Sequence, residues 1–160
     1  MDLDLDILLP GDCLLYRPSS IFGRLIALKT WSQISHVEVF IGNKLNAASR
    51  DGIGVDLYDL RVDKLGYILR PNKSFNIHKS LDWFYKEAKG QEYDWKGILI
   101  FTLAVKQGNN QKMFCSEFAT RFYRKGGLKI FSDNYNADRV APSNFLLSPC
   151  FDMIYKDLDY

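Results

Sequence analysis

The order of its patterns constrains this chain most. Up to Pro71 the sequence is cut into short β-branched and aromatic runs by turn signals; after Asn76 helical spacing takes over. Pro10-Gly11-Asp12 is a turn, and Cys13 to Tyr16 reads as a buried strand. Ile21 to Trp31 spaces Ile21, Leu25, Ile26 and Leu28 as a helix does. His36 to Ile41 reads as a strand, Gly42-Asn43 as a turn, and Leu45 to Ala48 as the next strand. Asp51-Gly52 is a hairpin signal, with Ile53 to Leu57 returning. Tyr67 to Leu69 forms a further strand, stopped by Pro71.

Beyond it, Ser80 to Lys89 places Leu81, Phe84, Tyr85 and Ala88 on one helical face, and Gly90 ends the helix. Asp94 caps an expected helix over Ile98 to Ala104. Gly108-Asn109-Asn110 is a loop. Ser116 to Arg124 reads as a helix with Phe118, Ala119, Phe122 and Tyr123 inward, stopped at Gly126-Gly127. A turn at Ala141-Pro142-Ser143 and a strand at Phe151 to Tyr155 complete the chain. Strands come early and helices late, without β-α alternation. That order predicts an α+β fold rather than a doubly wound sheet.

The 160 residues are 47% hydrophobic and 25% charged. This is the size and composition of one globular domain, 1–160. A formal net charge of +2 gives no ground for a nucleic-acid partner. No apolar run is long enough to cross a bilayer as a helix. The first residues are acidic, where a secretory leader is basic, so a cytoplasmic location is expected. The cysteines number three, Cys13, Cys115 and Cys150, with no C-x-x-C pair to hold a metal. No metal or organic cofactor is expected. Cys13 and Cys150 sit in apolar strand-like contexts and read as inert core thiols.

Cys115 differs, because it stands after a loop and just before a helix. A thiolate is favoured there by the helix dipole, and backbone N–H groups are available to a tetrahedral oxyanion. A cysteine hydrolase needs an imidazole beside the thiolate and a polar group to orient it. The two histidines are unequal. His78 lies among Lys79 and Asp82 and reads as solvated. His36 opens an apolar strand, which suits a partly buried base. The orienting group is expected from Asn46, brought beside His36 by the Gly42-Asn43 turn. Glu38 is the alternative, on the same strand face as His36; Asp51 is placed less well, at a turn tip. With Asn46 as orienter, Asn46→Asp should preserve or raise activity. The Cys115 backbone N–H is the expected oxyanion donor, with Tyr16 the candidate side-chain donor.

These segments resemble a family. Leu9-Pro10-Gly11-Asp12-Cys13-Leu14-Leu15 comes first, then Ile34-Ser35-His36-Val37-Glu38-Val39-Phe40-Ile41-Gly42. Gly90-Gln91-Glu92-Tyr93-Asp94-Trp95 and Phe114-Cys115-Ser116-Glu117-Phe118 follow. Together they are similar to the circularly permuted NlpC/P60 enzymes, the YiiX/YaeF-like group, distantly similar to lecithin:retinol acyltransferases. The histidine motif precedes the cysteine motif, as in the permuted group. The tail Ala141-Pro142-Ser143-Asn144-Phe145-Leu146 resembles that group too. The resemblance implies a papain-like fold, with a small antiparallel sheet or barrel packed against helices. It implies Cys115 as nucleophile, His36 as base and Asn46 at the third position, where many members carry Glu. The implied activity is cleavage of amide bonds, in peptides or amino-acid conjugates, through a cysteine thioester. The alternatives are a lipid or ester acyl hydrolase or acyltransferase, and a catalytically silent binding module.

Overall fold

The computed structural model describes residues 4–94, 113–132 and 134–157. Its fold is α+β: an open six-stranded antiparallel sheet with helices against it. The strands are β1 (Cys13–Tyr16), β2 (His36–Gly42), β3 (Leu45–Arg50), β4 (Gly54–Asp59), β5 (Leu65–Pro71) and β6 (Phe151–Lys156). They lie in the order β4-β3-β2-β1-β5-β6. The helices are α1 (Ile21–Lys29), α2 (Ile77–Trp83), which runs on into a π-helical turn at Phe84–Ala88, and α3 (Cys115–Lys125). The expected helix at Ile98 to Ala104 and the loop at Gly108 to Asn110 lie outside the described residues.

The strand pattern sets the register. Between β2 and β3, Asn43 and Lys44 both take positive φ, at 52° and 58°, the geometry of a tight hairpin whose twist matches its strands. The pairing then sets Tyr16 opposite His36 and Leu14 opposite Glu38. It also sets Phe40 opposite Asn46. Directly paired residues share a face, so Tyr16, His36, Glu38 and Asn46 come to one side of the sheet.

The other side carries the main core. Leu15, Val37, Val39 and Ala47 pack there with Phe118, Ala119, Phe122 and Tyr123 of α3. Those four are the inward positions read from the sequence. At its far end α3 closes as a Schellman motif. Leu128 N–H donates to the Tyr123 carbonyl and Gly127 N–H to that of Arg124, with Gly127 at φ 88°. At its start, Ser49 Oγ donates to the Met113 carbonyl at 2.5 Å and Ser116 Oγ to that of Val140 at 2.5 Å. Met113 N–H in turn donates to the Glu92 carbonyl. These bonds fix the amino end of α3 against β3.

Among the described residues, no helix is long and apolar enough to cross a membrane. The cysteines are all free and buried.

Candidate functional site

Cys115 is the first residue of α3, after an extended Phe114 that gives no side-chain cap. The first-turn N–H groups of a helix have no partner within it, so they remain available to negative charge. His36 is the first residue of β2. The Cys115 thiol lies close enough to its ring to help raise the His36 pKa. The structure thus joins the two chemistry-bearing residues picked out in the sequence, although 78 residues separate them.

The orienting contact differs from expectation. His36 Nε2 lies 2.9 Å from Glu38 Oε1. The Asn46 amide does not face the ring: its Nδ2 donates to Glu38 Oε2 at 2.6 Å and to the Tyr16 hydroxyl at 3.3 Å. The reason is in the register, which places Asn46 opposite Phe40 rather than opposite His36. Residues two apart on one strand share a face, and that brings Glu38 alongside the ring. Asn46 supports the carboxylate instead of the imidazole.

Glu38 is fully buried yet surrounded by donors. Arg50 meets it with both arms, Nε to Oε1 at 2.7 Å and a terminal nitrogen to Oε2 at 3.0 Å. Arg61 stands 3.6 Å from Oε1 and stacks on the Tyr16 ring, 4.5 Å from its centroid. Burial works against the charge on Glu38, but the hydrogen bonds and charges of His36 and Arg50 outweigh it, holding the carboxyl well below the usual carboxylate range. For His36, burial disfavours the imidazolium. The charge and hydrogen bond of Cys115 and those of Glu38 prevail, and its pKa is pushed up to about 9.

Tyr16 is fully buried. Its hydroxyl donates to the Arg61 carbonyl at 3.2 Å and accepts from Asn46. Burial, then the nearby Glu38 charge, pushes its pKa far up. The hydroxyl expected to serve an oxyanion is engaged in holding the carboxylate network. Cys13 is equally buried, and burial pushes its thiol up. Cys150 is buried with its thiol directed at the Lys129 carbonyl. His78 is exposed on α2, and Asp51 stands at the turn after β3.

A cleft of about 140 Å³ opens beside the pair, lined in part by Ser20, His36, Arg50, Asp51, Arg61 and Tyr93. Cys115 itself is buried, next to Phe114, which packs with Ile26 and Tyr93. Burial and then the charge of Cys115 push the Tyr93 phenol well up, so it stays protonated beside the thiol. The sequence patterns did not single out Arg50, Arg61 or Tyr93. For Arg50 a signal existed: the period of two puts it on the face of Asn46, toward the strand that carries Glu38.

No protein-family model matches the sequence. A probable lipoprotein peptidase of Escherichia coli K12, YaeF, is 24% identical over 154 residues, covering 74% of this chain and 56% of that protein. The chain thus spans little more than half the length of this curated relative. A crystal structure of YiiX from Escherichia coli O157:H7, described as a metalloprotein, superposes with a TM-score of 0.69 at 16% identity. It covers 92% of this chain and 97% of that one. A metal does not fit the present network: Glu38 is committed to two arginines, an amide and an imidazole. Among the described residues, no three His, Cys, Asp or Glu side chains gather to hold one. The chain has the fold of YiiX and a distant sequence similarity to YaeF.

Proposed function

We propose that this protein is a cysteine hydrolase of the papain-like, permuted NlpC/P60 type, cleaving amide bonds in peptides or amino-acid conjugates. The observation that carries the reading is the chain of contacts from Cys115 to His36 to Glu38. A thiol at a helix start, an imidazole and a buried, charged carboxylate form the arrangement that nucleophilic acyl transfer requires. The peptidase name of YaeF supports the same class of reaction.

In this mechanism His36 holds the proton of Cys115, and the sulfur attacks the substrate carbonyl carbon. The carbonyl oxygen takes the electron pair and rests on the backbone N–H of Cys115. Collapse expels the amine, which takes its proton from the His36 imidazolium, leaving a thioester. Water, deprotonated by His36, releases the acid and restores the thiol. Glu38 stabilises the imidazolium throughout, and Arg50 and Asn46 keep Glu38 in place. Tyr93, protonated, forms part of the cleft wall.

The test is to trap the intermediate. An activated acyl ester or amide, quenched in acid and digested, should leave the acyl mass on the Cys115 peptide. His36→Ala should remove the adduct, and Cys115→Ala should remove both adduct and turnover. Turnover that survives Cys115→Ala would overturn the assignment.

A further inference from the structure

The outer face of α1 carries a row of exposed apolar side chains. Ile21 is 76% exposed, Leu25 48%, Leu28 71% and Trp31, just past the helix, 94%. At about 100° per residue, Ile21, Leu25 and Leu28 fall within an arc of roughly 60°. Arg24 and Lys29, both exposed, lie on either side of that arc. Gly23 and Ile26, on the opposite side of the helix, face the protein and line the cleft. The apolar stripe is therefore turned outward and bordered by cations.

Two further observations point to what covers it. From Cys13 to Val37 the chain contains no acidic residue, while Arg17, Arg24 and Lys29 are basic. Trp31 takes φ 48°, a left-handed conformation costly for a bulky side chain. The protein thus accepts both backbone strain and near-complete exposure to project an indole beside the stripe. Isoleucine and leucines in a row, flanking cations and an indole at the rim are the recognition chemistry of an anionic lipid interface. A polar protein partner would have no use for the stripe, and the cations would repel each other across a symmetric contact with a second copy.

We propose that α1 and Trp31 dock this protein on the surface of anionic lipid bilayers. The leucines and the indole enter the headgroup boundary, and Arg24 and Lys29 meet lipid phosphates. Because the inner side of α1 walls the cleft, docking holds the cleft close to the membrane surface. The docking itself does not depend on the catalytic reading.

The experiment is vesicle co-sedimentation at low and physiological salt. The vesicles are phosphatidylcholine alone, or phosphatidylcholine mixed with phosphatidylglycerol. Partitioning is expected only with the mixed vesicles, and it should weaken as salt rises. Arg24→Glu with Lys29→Glu should lower it roughly tenfold or more. Leu25→Asp should abolish it. Trp31→Gly relieves the strained φ, so the variant should melt no lower than the parent yet bind vesicles more weakly. Cys115→Ala should bind like the parent, which separates this result from any failure of catalysis. Absence of co-sedimentation, equal partitioning of the charge-reversed and Leu25→Asp variants, or a solution dimer that Leu25→Asp dissolves would overturn the proposal.

Discussion

Glu38 Oε1 lies 2.9 Å from His36 Nε2, and the two residues ride on one strand, two positions apart. One rigid element therefore carries both the proposed base and the carboxylate beside it. No loop movement can separate them without breaking β2, which is held by β1 on one side and β3 on the other.

Glu38→Gln should cut turnover about a hundredfold or more, because the imidazolium loses its counter-charge. The pH profile gives the sharper readout. Glu38 is one of the groups that push the His36 pKa up to about 9. Without its charge that pKa falls, and the alkaline limb of the activity profile should move to lower pH. An unmoved alkaline limb would mean that Glu38 is not coupled to His36 in solution.

Asn46→Asp should be harmful, the reverse of what an imidazole-orienting Asn46 would give. Its Nδ2 donates to Glu38 Oε2 at 2.6 Å, and both side chains are fully buried. A second carboxylate there would face the first, and one of the two would have to take up a proton or the fold would weaken. Asn46→Ala removes a single donor, with Arg50 still in place, and should cost about 1–2 kcal/mol of stability. Melting temperature and turnover together check this. An Asn46→Asp variant as stable and active as the parent would contradict the donor role.

The described strands and α3 were legible because the sequence spells them with local signals. The α3 stop at Gly126-Gly127 and the strand from His36 onward rest on helix-ending glycine and on β-branched spacing. Cys115 and His36 were legible for a related reason, since each sits at an element's start. The choice between the two candidate partners of the His36 ring, Asn46 and Glu38, was not. Choosing Glu38 over Asn46 needs the strand register, which the bulge between Phe40 and Gly42 shifts. Arg61 lies after β4, and its stacking on Tyr16 depends on how that segment folds back, which no local pattern encodes.

Stability should fall as pH rises through the neutral range. Burial, offset only in part by Arg121, pushes the Glu117 carboxyl up to about 7 from its ordinary value of 4.5. The folded state then binds more protons than the unfolded chain between those values. The contribution is fully present below about pH 4.5 and is lost as pH rises through about 7. Glu117→Gln should remove up to about 3 kcal/mol of this dependence. Denaturant titrations at pH 5 and pH 8 check it; equal slopes in parent and variant would refute it.

Gly54→Ala should destabilise the protein by about 2 kcal/mol or more. Gly54 has φ 104°, and a Cβ there would stand 2.2 Å from the Gln91 carbonyl oxygen. That carbonyl accepts from Val55 N–H at 2.8 Å and lies two residues before Tyr93. The substitution should therefore also lower activity through the cleft wall. Full retention of the melting temperature would show that the segment yields without cost.

The most direct measurement is the alkylation rate of each cysteine by iodoacetamide against pH, read by mass spectrometry of the intact, folded protein and its peptides. Cys115 should react first and stay reactive below neutral pH, while Cys13 and Cys150 remain unlabelled. His36→Ala should return Cys115 to the steep pH dependence of an ordinary thiol. Equal labelling of the three cysteines, or a Cys115 rate that falls tenfold per pH unit below 8 in the parent protein, would contradict a thiol poised by His36 and Glu38.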